Sequence, residues 1–150
     1  MGDSARVVSV VDRRAALREI CQAFNVAILY VFGSRADEVY AWLNGEMTEL
    51  GPGPSDVDVG VKAVPGVQWS FHDKVLLAIA LEDLLGCSRV DVVALDTANP
   101  FLADEIVHGN RLYARDEYEA DEYDLYVLRR AGDLAPLERE WMSQILEISL

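Results

Sequence analysis

The sequence predicts an α/β or α+β fold in which helices flank one small, mixed β-sheet. Segments with apolar residues at helical spacing alternate along the chain with short runs rich in β-branched residues, and glycine or proline often separates them. The 150 residues are a typical length for one domain, and 51% of them are hydrophobic, which is enough for a substantial core. The sequence has no internal repeat or convincing linker, so we expect residues 1–150 to form a single domain.

The first half of the chain predicts two helices, two strands and a loop. Apolar residues at helical spacing predict a helix over Ala15–Phe24, and the continuous apolar run Val26–Phe32 predicts a buried strand. A short helix is expected over Arg35–Leu43, after which the glycines and prolines of Asn44–Pro54 predict a loop. Alternating apolar and polar residues predict the second strand over Asp56–Lys62.

The second half continues the alternation of helices and strands. Its predicted elements are a helix over Trp69–Leu85 closed by Gly86, a strand over Val90–Leu95, a helix over Phe101–His108, a short edge strand at Leu112–Tyr113, a helix over Glu117–Arg130 and a last helix opened by Pro136. One side of the last helix carries an apolar stripe of Leu137, Trp141, Ile145 and Ile148. We expect this stripe to pack into the core, and its terminal position leaves a partner-binding role open.

The net charge of the chain limits the classes of molecule that it is expected to bind. The chain has 26 acidic and 13 basic residues, a net charge of −13, which argues against nucleic acid and favours a basic protein or a metal-neutralised phosphate substrate. The acidic run Asp116–Asp124 is expected to be a solvated helix face. No apolar run is long enough to span a membrane, and Cys21 and Cys87 form no C-x-x-C pair. We therefore expect a cytoplasmic protein with two reduced thiols and no membrane partner.

Two aspartates on the second predicted strand are the first candidate site residues. Positions i and i+2 of a strand share a face, so Asp56 and Asp58 point the same way while Val57, Val59 and Val61 face the core. Neighbouring carboxylates repel each other unless they are solvated or neutralised. A hard divalent cation, which prefers oxygen ligands, would neutralise them directly.

A third aspartate, Asp91, lies within the apolar strand Val90–Leu95. A charged group in a strand of this kind is costly unless it is paired. If this strand neighbours the strand of Asp56 and Asp58, the three carboxylates meet on one face of the sheet. Such a set suits Mg²⁺, with water and phosphate oxygens as its remaining ligands.

The turn Gly33-Ser34-Arg35 is the candidate phosphate site. Gly33 allows the backbone to approach a ligand closely, and the free N–H groups at the helix start, with the Ser34 hydroxyl, could cradle a phosphate. A capping box of Ser34 and Asp37 fits the same residues and is compatible with phosphate binding. Arg35 and Lys62 flank the site and could meet phosphate oxygens, although solvated surface charge is favoured for Lys62.

The ordered combination of these motifs resembles the nucleotidyltransferase superfamily that includes DNA polymerase beta. More closely, it is similar to the minimal nucleotidyltransferases (MNT), the antitoxin half of HEPN/MNT toxin–antitoxin pairs. The resemblance runs from about Ile28 to Tyr113. The motifs that carry it are Gly33-Ser34-Arg35-Ala36, Ser55-Asp56-Val57-Asp58, Val90-Asp91-Val92-Val93 and the downstream segment from Pro100-Phe101-Leu102 through Glu105-Ile106 to Gly109-Asn110-Arg111-Leu112-Tyr113.

The resemblance implies a nucleotidyltransferase-like fold and a role for each site residue. Gly33 and Ser34 would bind the triphosphate of ATP, Asp56 and Asp58 would ligate Mg²⁺, and Asp91 would complete the metal site and help to deprotonate the acceptor. The reaction implied is transfer of AMP to a tyrosine hydroxyl of a cognate HEPN-type toxin, which silences the toxin.

An insertion separates two of the motifs. Asp56 follows Ser34 by 22 positions, where the family has about ten, and the extra residues span roughly Val39–Gly53. Such a loop costs little stability, because closure entropy grows only logarithmically with length. Its residues Tyr40, Trp42 and Leu43 either extend the helix into the core, which we favour, or cap the nucleotide base.

Two other functions remain compatible with the sequence. The chain could neutralise a toxin by binding alone, or it could modify a small cationic molecule such as an aminoglycoside. The second of these usually requires an added helical domain, and only about Glu117–Leu150 is available for one. Self-association also stays open.

Overall fold

The computed structural model describes residues 10–53 and 56–149, and within them it consists of one four-stranded sheet and five α-helices. The elements in chain order are α1 (Val10–Ala23), β1 (Val26–Phe32), α2 (Ala36–Leu43), β2 (Val57–Ala63), α3 (Phe71–Leu85), β3 (Val90–Ala94), α4 (Pro100–Val107), β4 (Asn110–Ala114) and α5 (Glu117–Ser149). This arrangement confirms the predicted α+β class with a small mixed sheet.

The strand order β3-β2-β1-β4 brings one end of three strands together. The central strand β1 is buried along its whole length and runs antiparallel to both β2 and β4, whereas β2 and β3 are parallel. The end of β1 therefore lies beside the beginning of β2, where Phe32 pairs with Asp58. On the other side of β2, Asp58 pairs with Asp91 of β3.

Helices cover both faces of the sheet. On one face, Val57, Val59 and Val61 of β2 pack in a core with residues of α1, α2 and α3. The other face buries β1 residues such as Tyr30 against residues of α4 and α5. A Cβ on Gly60 would lie 2.4 Å from Cγ2 of Ile106, so this glycine lets α4 approach the sheet closely.

The long helix α5 is tied to the sheet through polar contacts. The Tyr30 hydroxyl donates a hydrogen bond to the carboxylate of Asp124, which also accepts one from Arg111 at 2.7 Å. Arg111 forms further ion pairs with Glu117 and Asp121. The acidic run is mostly exposed, as predicted, but Asp124 within it links α5 to the sheet.

The structure corrects the prediction of separate C-terminal helices. Pro136 lies inside α5, which is one helix of 33 residues. A proline inside a helix removes one hydrogen bond, in this case to the carbonyl of Gly132. Because Gly132 is exposed, water can satisfy that carbonyl and the helix continues.

The apolar stripe on α5 does not pack into the core where its side chains are described. Leu137 is 62% exposed and Trp141 is 59% exposed, so the core prediction is wrong for both. The reason is length, since α5 continues well beyond Ala131, the last of its residues that the structure describes as buried. The side chains of Ile145 and Ile148 lie outside the part that the structure describes.

Other predictions hold within a few residues. Helix α3 ends at Gly86, whose φ of 70° is left-handed, and α1 begins five residues before its predicted start. Cys21 is buried and, like Cys87, is a free thiol among the described residues. No helix in residues 10–53 or 56–149 combines the length and apolarity that crossing a membrane requires.

Candidate active site

The candidate site lies at the sheet end where β1 stops and both β2 and β3 begin. Asp58 pairs in register with Asp91 on the neighbouring parallel strand, at a backbone separation of about 4.8 Å. Residues paired in this way project to the same face of the sheet. The structure thus brings Asp58 and Asp91 side by side, as predicted. Asp56 lies just before β2, at the same end of the sheet.

The carboxylates at this end raise the proton affinity of Asp58. The pKa of Asp58 lies above its ordinary value, first because burial disfavours the charged form and then because Asp91, Asp56 and Glu105 add negative charge around it. Glu105 belongs to α4 and was not predicted as a site residue from the sequence. A cation bound among these groups would relieve their repulsion.

Arg89 already supplies a positive charge here. Its Nε atom lies 3.4 Å from Oδ2 of Asp56 and 3.3 Å from Oδ1 of Asp91, and its side chain is 68% exposed. Arg89 was not predicted as a site residue from the sequence. The signal that could have identified it is a basic residue two positions before Asp91 in a chain with twice as many acidic as basic residues.

The three aspartates fit a magnesium ion in chemistry, although they do not form a closed metal cage. Within residues 10–53 and 56–149, no three acidic, histidine or cysteine side chains converge at metal-binding distance. Asp56, Asp58 and Asp91 offer only oxygen ligands, which Mg²⁺ prefers, and Mg²⁺ usually retains several water molecules. The side chains of Asp56 and Asp91 are 37% and 42% exposed, so both have room to turn toward an ion.

The Gly33–Ser34 turn closes against Asp58. Gly33 has a φ of 81°, and a Cβ at this position would lie 2.6 Å from Oδ2 of Asp58. Only glycine meets both requirements without strain or a shift of Asp58. Ser34 is exposed beside it, at the start of α2.

The predicted capping box of Ser34 and Asp37 is wrong. The N-cap of α2 is Arg35, and no side-chain hydrogen bond caps this helix in the described part of the chain. Asp37 instead accepts a hydrogen bond from the Asn110 side-chain amide at 3.2 Å, which directs it toward β4. The Ser34 hydroxyl is therefore not engaged as a helix cap.

Comparison with known families also points to a nucleotidyltransferase. The family model described as "Polymerase beta, Nucleotidyltransferase" matches residues 16–118, more than half of the chain. The chain belongs to the polymerase beta nucleotidyltransferase family. Comparison with curated protein sequences yields no significant match.

Solved structures of toxin–antitoxin complexes share the fold of this nucleotidyltransferase. A mutant MntA–HpeT complex matches with a TM-score of 0.66 and 15% identity, covering 89% of this chain and 98% of the matched one. A toxin–antitoxin with AMP-PNP matches at 0.66 and 16%, with the same coverage. The tri-AMPylated Shewanella oneidensis HEPN toxin in complex with MNT antitoxin matches at 0.64 and 15%, covering 92% and 99%. Identities this low establish the fold alone.

Each of the two basic residues predicted to flank the site pairs with a carboxylate outside it. Arg35 is buried, and its guanidinium is 2.8 Å from Oε1 of Glu38 and donates a hydrogen bond to the Gly51 carbonyl at 2.6 Å. A phosphate contact of Arg35 stays a prediction. Lys62 is four residues beyond Asp58, about 13 Å along β2, and pairs with Asp96 at 2.7 Å. The structure therefore does not bring Lys62 to the site.

The inserted segment is attached to the body of this nucleotidyltransferase. Arg13 of α1 is buried and donates hydrogen bonds to the carbonyls of Trp42, Met47 and Thr48, while its guanidinium lies 4.6 Å from the centre of the Trp42 ring. Trp42 and Leu43 are buried, as predicted, whereas Tyr40 is 41% exposed. The insertion is therefore an extension of the core rather than a separate appendage.

Proposed function

We propose that this chain is a Mg²⁺-dependent nucleotidyltransferase that moves AMP from ATP to a tyrosine hydroxyl of a HEPN-type toxin and thereby silences it. One observation carries the proposal. Asp58 and Asp91 pair across parallel strands, and the Gly33–Ser34 turn closes on Asp58, in a chain of the polymerase beta nucleotidyltransferase family. Acidic ligands and a phosphate-binding turn at one sheet end are the parts that phosphoryl transfer needs.

Each residue has a defined part in this reaction. The backbone N–H groups at the start of α2 and the Ser34 hydroxyl hold the triphosphate, while Asp56 and Asp58 provide ligands for the metal. The tyrosine oxygen attacks the α-phosphorus, the bond from that phosphorus to the bridging oxygen of the β-phosphate breaks, and pyrophosphate leaves. Asp91 accepts the proton of the tyrosine hydroxyl. The metal, when bound, neutralises charge on the phosphates.

Two features support a protein as the acceptor. Several of the matched structures are toxin–antitoxin complexes, one of them with an AMPylated HEPN toxin. In addition, the part of α5 beyond Pro136 exposes Leu137, Trp141 and Met142, to 62%, 59% and 46%. A group of exposed apolar side chains of this size on one helix is typical of an interaction surface.

The direct test is transfer of label from [α-³²P]ATP to the toxin encoded beside this chain, in the presence of Mg²⁺. Wild type is expected to label the toxin, and the Asp56→Ala/Asp58→Ala double variant is expected to lose labelling at least a hundredfold. Asp83→Asn, at an exposed acidic residue of α3, is the matched control and should label normally. Equal labelling by wild type and the double variant would contradict the proposal.

The second candidate function is neutralisation by binding alone, which the exposed residues of α5 favour because docking needs no catalysis. Toxicity in cells separates the two functions. If the double variant neutralises the toxin as well as wild type does, binding is sufficient. If it fails while still co-purifying with the toxin, transfer is required.

A further inference from the structure

The contacts of Arg89 carry a further inference, which rests on the proposed function. We propose that Arg89 is a resident counter-ion of the acidic site: it holds Asp56 and Asp91 together in the metal-free protein, competes with the divalent cation, and passes to the phosphates when nucleotide binds. Arg89 is thus a positioning residue that couples metal binding to nucleotide binding.

The guanidinium of Arg89 lies close to two of the three candidate aspartates. Its Nε atom is almost equidistant from the two carboxylates, 3.4 Å from Oδ2 of Asp56 and 3.3 Å from Oδ1 of Asp91. These are two of the three groups that would ligate the metal. A metal ion and a guanidinium compete for the negative charge of the same two carboxylates, so Arg89 opposes the turning of both aspartates to one ion.

The ion pairs of Arg89 with Asp56 and Asp91 are weak because they are exposed. Arg89 is 68% exposed and its partners are 37% and 42% exposed, which places both pairs largely in water. Exposed ion pairs contribute little and are screened by salt. A divalent ion can therefore displace the guanidinium, and it binds less tightly than it would if Arg89 were absent.

The displaced side chain of Arg89 can bind the triphosphate instead of the carboxylates. Asp58 is surrounded by the negative charges of Asp91, Asp56 and Glu105, so the site binds a triphosphate poorly unless cations accompany it. A guanidinium released beside that triphosphate finds phosphate oxygens, which it binds in the same forked geometry as a carboxylate. Arg89 thus opposes the metal on its own and assists the metal together with nucleotide.

The test is the affinity for Mn²⁺, measured by electron paramagnetic resonance with and without a non-hydrolysable ATP analogue. Without nucleotide, Arg89→Gln is expected to bind Mn²⁺ about three- to tenfold more tightly than wild type, the size expected for two exposed pairs. Adding the analogue should tighten Mn²⁺ binding more in wild type than in this variant. Without nucleotide, Arg89→Lys, which keeps the charge, should bind Mn²⁺ about as tightly as wild type does.

The matched control is Arg18→Gln, at an exposed arginine of α1, which makes the same change in net charge. Its Mn²⁺ affinity should stay within about twofold of wild type because distant exposed charges are screened. If Mn²⁺ binding requires Asp58 but is unchanged or weaker in Arg89→Gln, the inference about Arg89 fails and the proposed function stands. If no variant binds Mn²⁺ even with nucleotide, both fail.

Discussion

At the scale of single residues, the site depends on the contact between Gly33 and Asp58. Gly33 combines a left-handed backbone with a position where a Cβ would lie 2.6 Å from Oδ2 of Asp58. The atom that blocks the Cβ is the end of a side chain, so a substitution would move the carboxylate rather than the sheet. Mutation can therefore separate the effect of the left-handed backbone on stability from the effect of Asp58 displacement on activity.

Gly33→Ala is expected to lose about 1 kcal/mol of unfolding free energy and at least a hundredfold of transfer activity. The stability loss follows from the left-handed φ, and the activity loss follows from displacement of Asp58. Denaturant unfolding and label transfer measure the two effects. Gly66→Ala is the control, because Gly66 has a φ of 87° with nothing within 4 Å of its Cβ position. It should lose similar stability and keep its activity, and a fully active Gly33→Ala would refute this account of the turn.

Asp58→Asn is expected to stabilise the metal-free protein at pH 8 by about 1–3 °C in Tm while abolishing transfer. The pKa of Asp58 is raised in the folded state, so the ionised carboxylate destabilises the fold. This penalty is complete above the folded pKa and disappears below the unfolded one, near 4. The difference in Tm should therefore shrink as pH falls. Thermal unfolding in EDTA measures it, and a lower Tm for Asp58→Asn at pH 8 would contradict the cause assigned here.

The sequence identifies Asp58 and Asp91 as candidates because charged residues within apolar strands are unusual. It does not identify Arg89 or Glu105 as their neighbours, since those contacts depend on how β3 and α4 are placed relative to β2. The Ser34–Asp37 pair shows the same limit. Its spacing fits a capping box, but a tertiary contact with Asn110 takes Asp37 elsewhere.

At the scale of elements, arginines hold the inserted segment Val39–Gly53, which includes the end of α2 and the loop that follows it. Arg13 binds three carbonyl groups of this segment from α1, and Arg35 binds the Gly51 carbonyl, whose N–H in turn donates to Glu38 at 2.8 Å. The strands were predictable from local patterns, because β1 is continuously apolar and β2 alternates. The fastening of the loop was not predictable, since it joins residues about 30 positions apart.

Arg13→Ala is expected to lower the unfolding free energy by about 2–3 kcal/mol, because it leaves the buried Trp42 carbonyl and the half-buried Met47 carbonyl without their charged donor. Arg18→Ala is the control, since Arg18 is exposed on the same helix, and it should change stability by no more than about 0.5 kcal/mol. Denaturant unfolding measures both variants. Equal stability of the two would show that the insertion does not depend on Arg13.

At the scale of the whole molecule, α5 extends beyond the core and exposes an apolar surface. Local periodicity predicted this stripe but not its burial, which depends on whether another element lies opposite. The helix also passes through Pro136, because the carbonyl freed by the proline belongs to an exposed glycine. A surface of this kind is suited to a partner, and the proposed partner is the toxin.

Trp141→Ala is expected to weaken toxin binding at least tenfold while changing this chain's own stability by no more than about 0.5 kcal/mol. The tryptophan is 59% exposed, so its loss opens no cavity in the core. Phe71→Ala, at an aromatic residue of α3 that is 81% exposed, is the control and should bind normally. Calorimetric titration measures binding, and unchanged affinity in Trp141→Ala would place the toxin on another surface.

We expect the carboxylates of Asp56, Asp58 and Asp91 to hold a divalent ion beside the Gly33–Ser34 turn. Crystals grown with Mn²⁺ and a non-hydrolysable ATP analogue would locate that ion through the anomalous signal of the metal. We expect a peak about 2.1 Å from oxygens of Asp56 and Asp58 and near Asp91, with the triphosphate on Ser34. A metal bound elsewhere, or a triphosphate remote from Ser34, would contradict the claim.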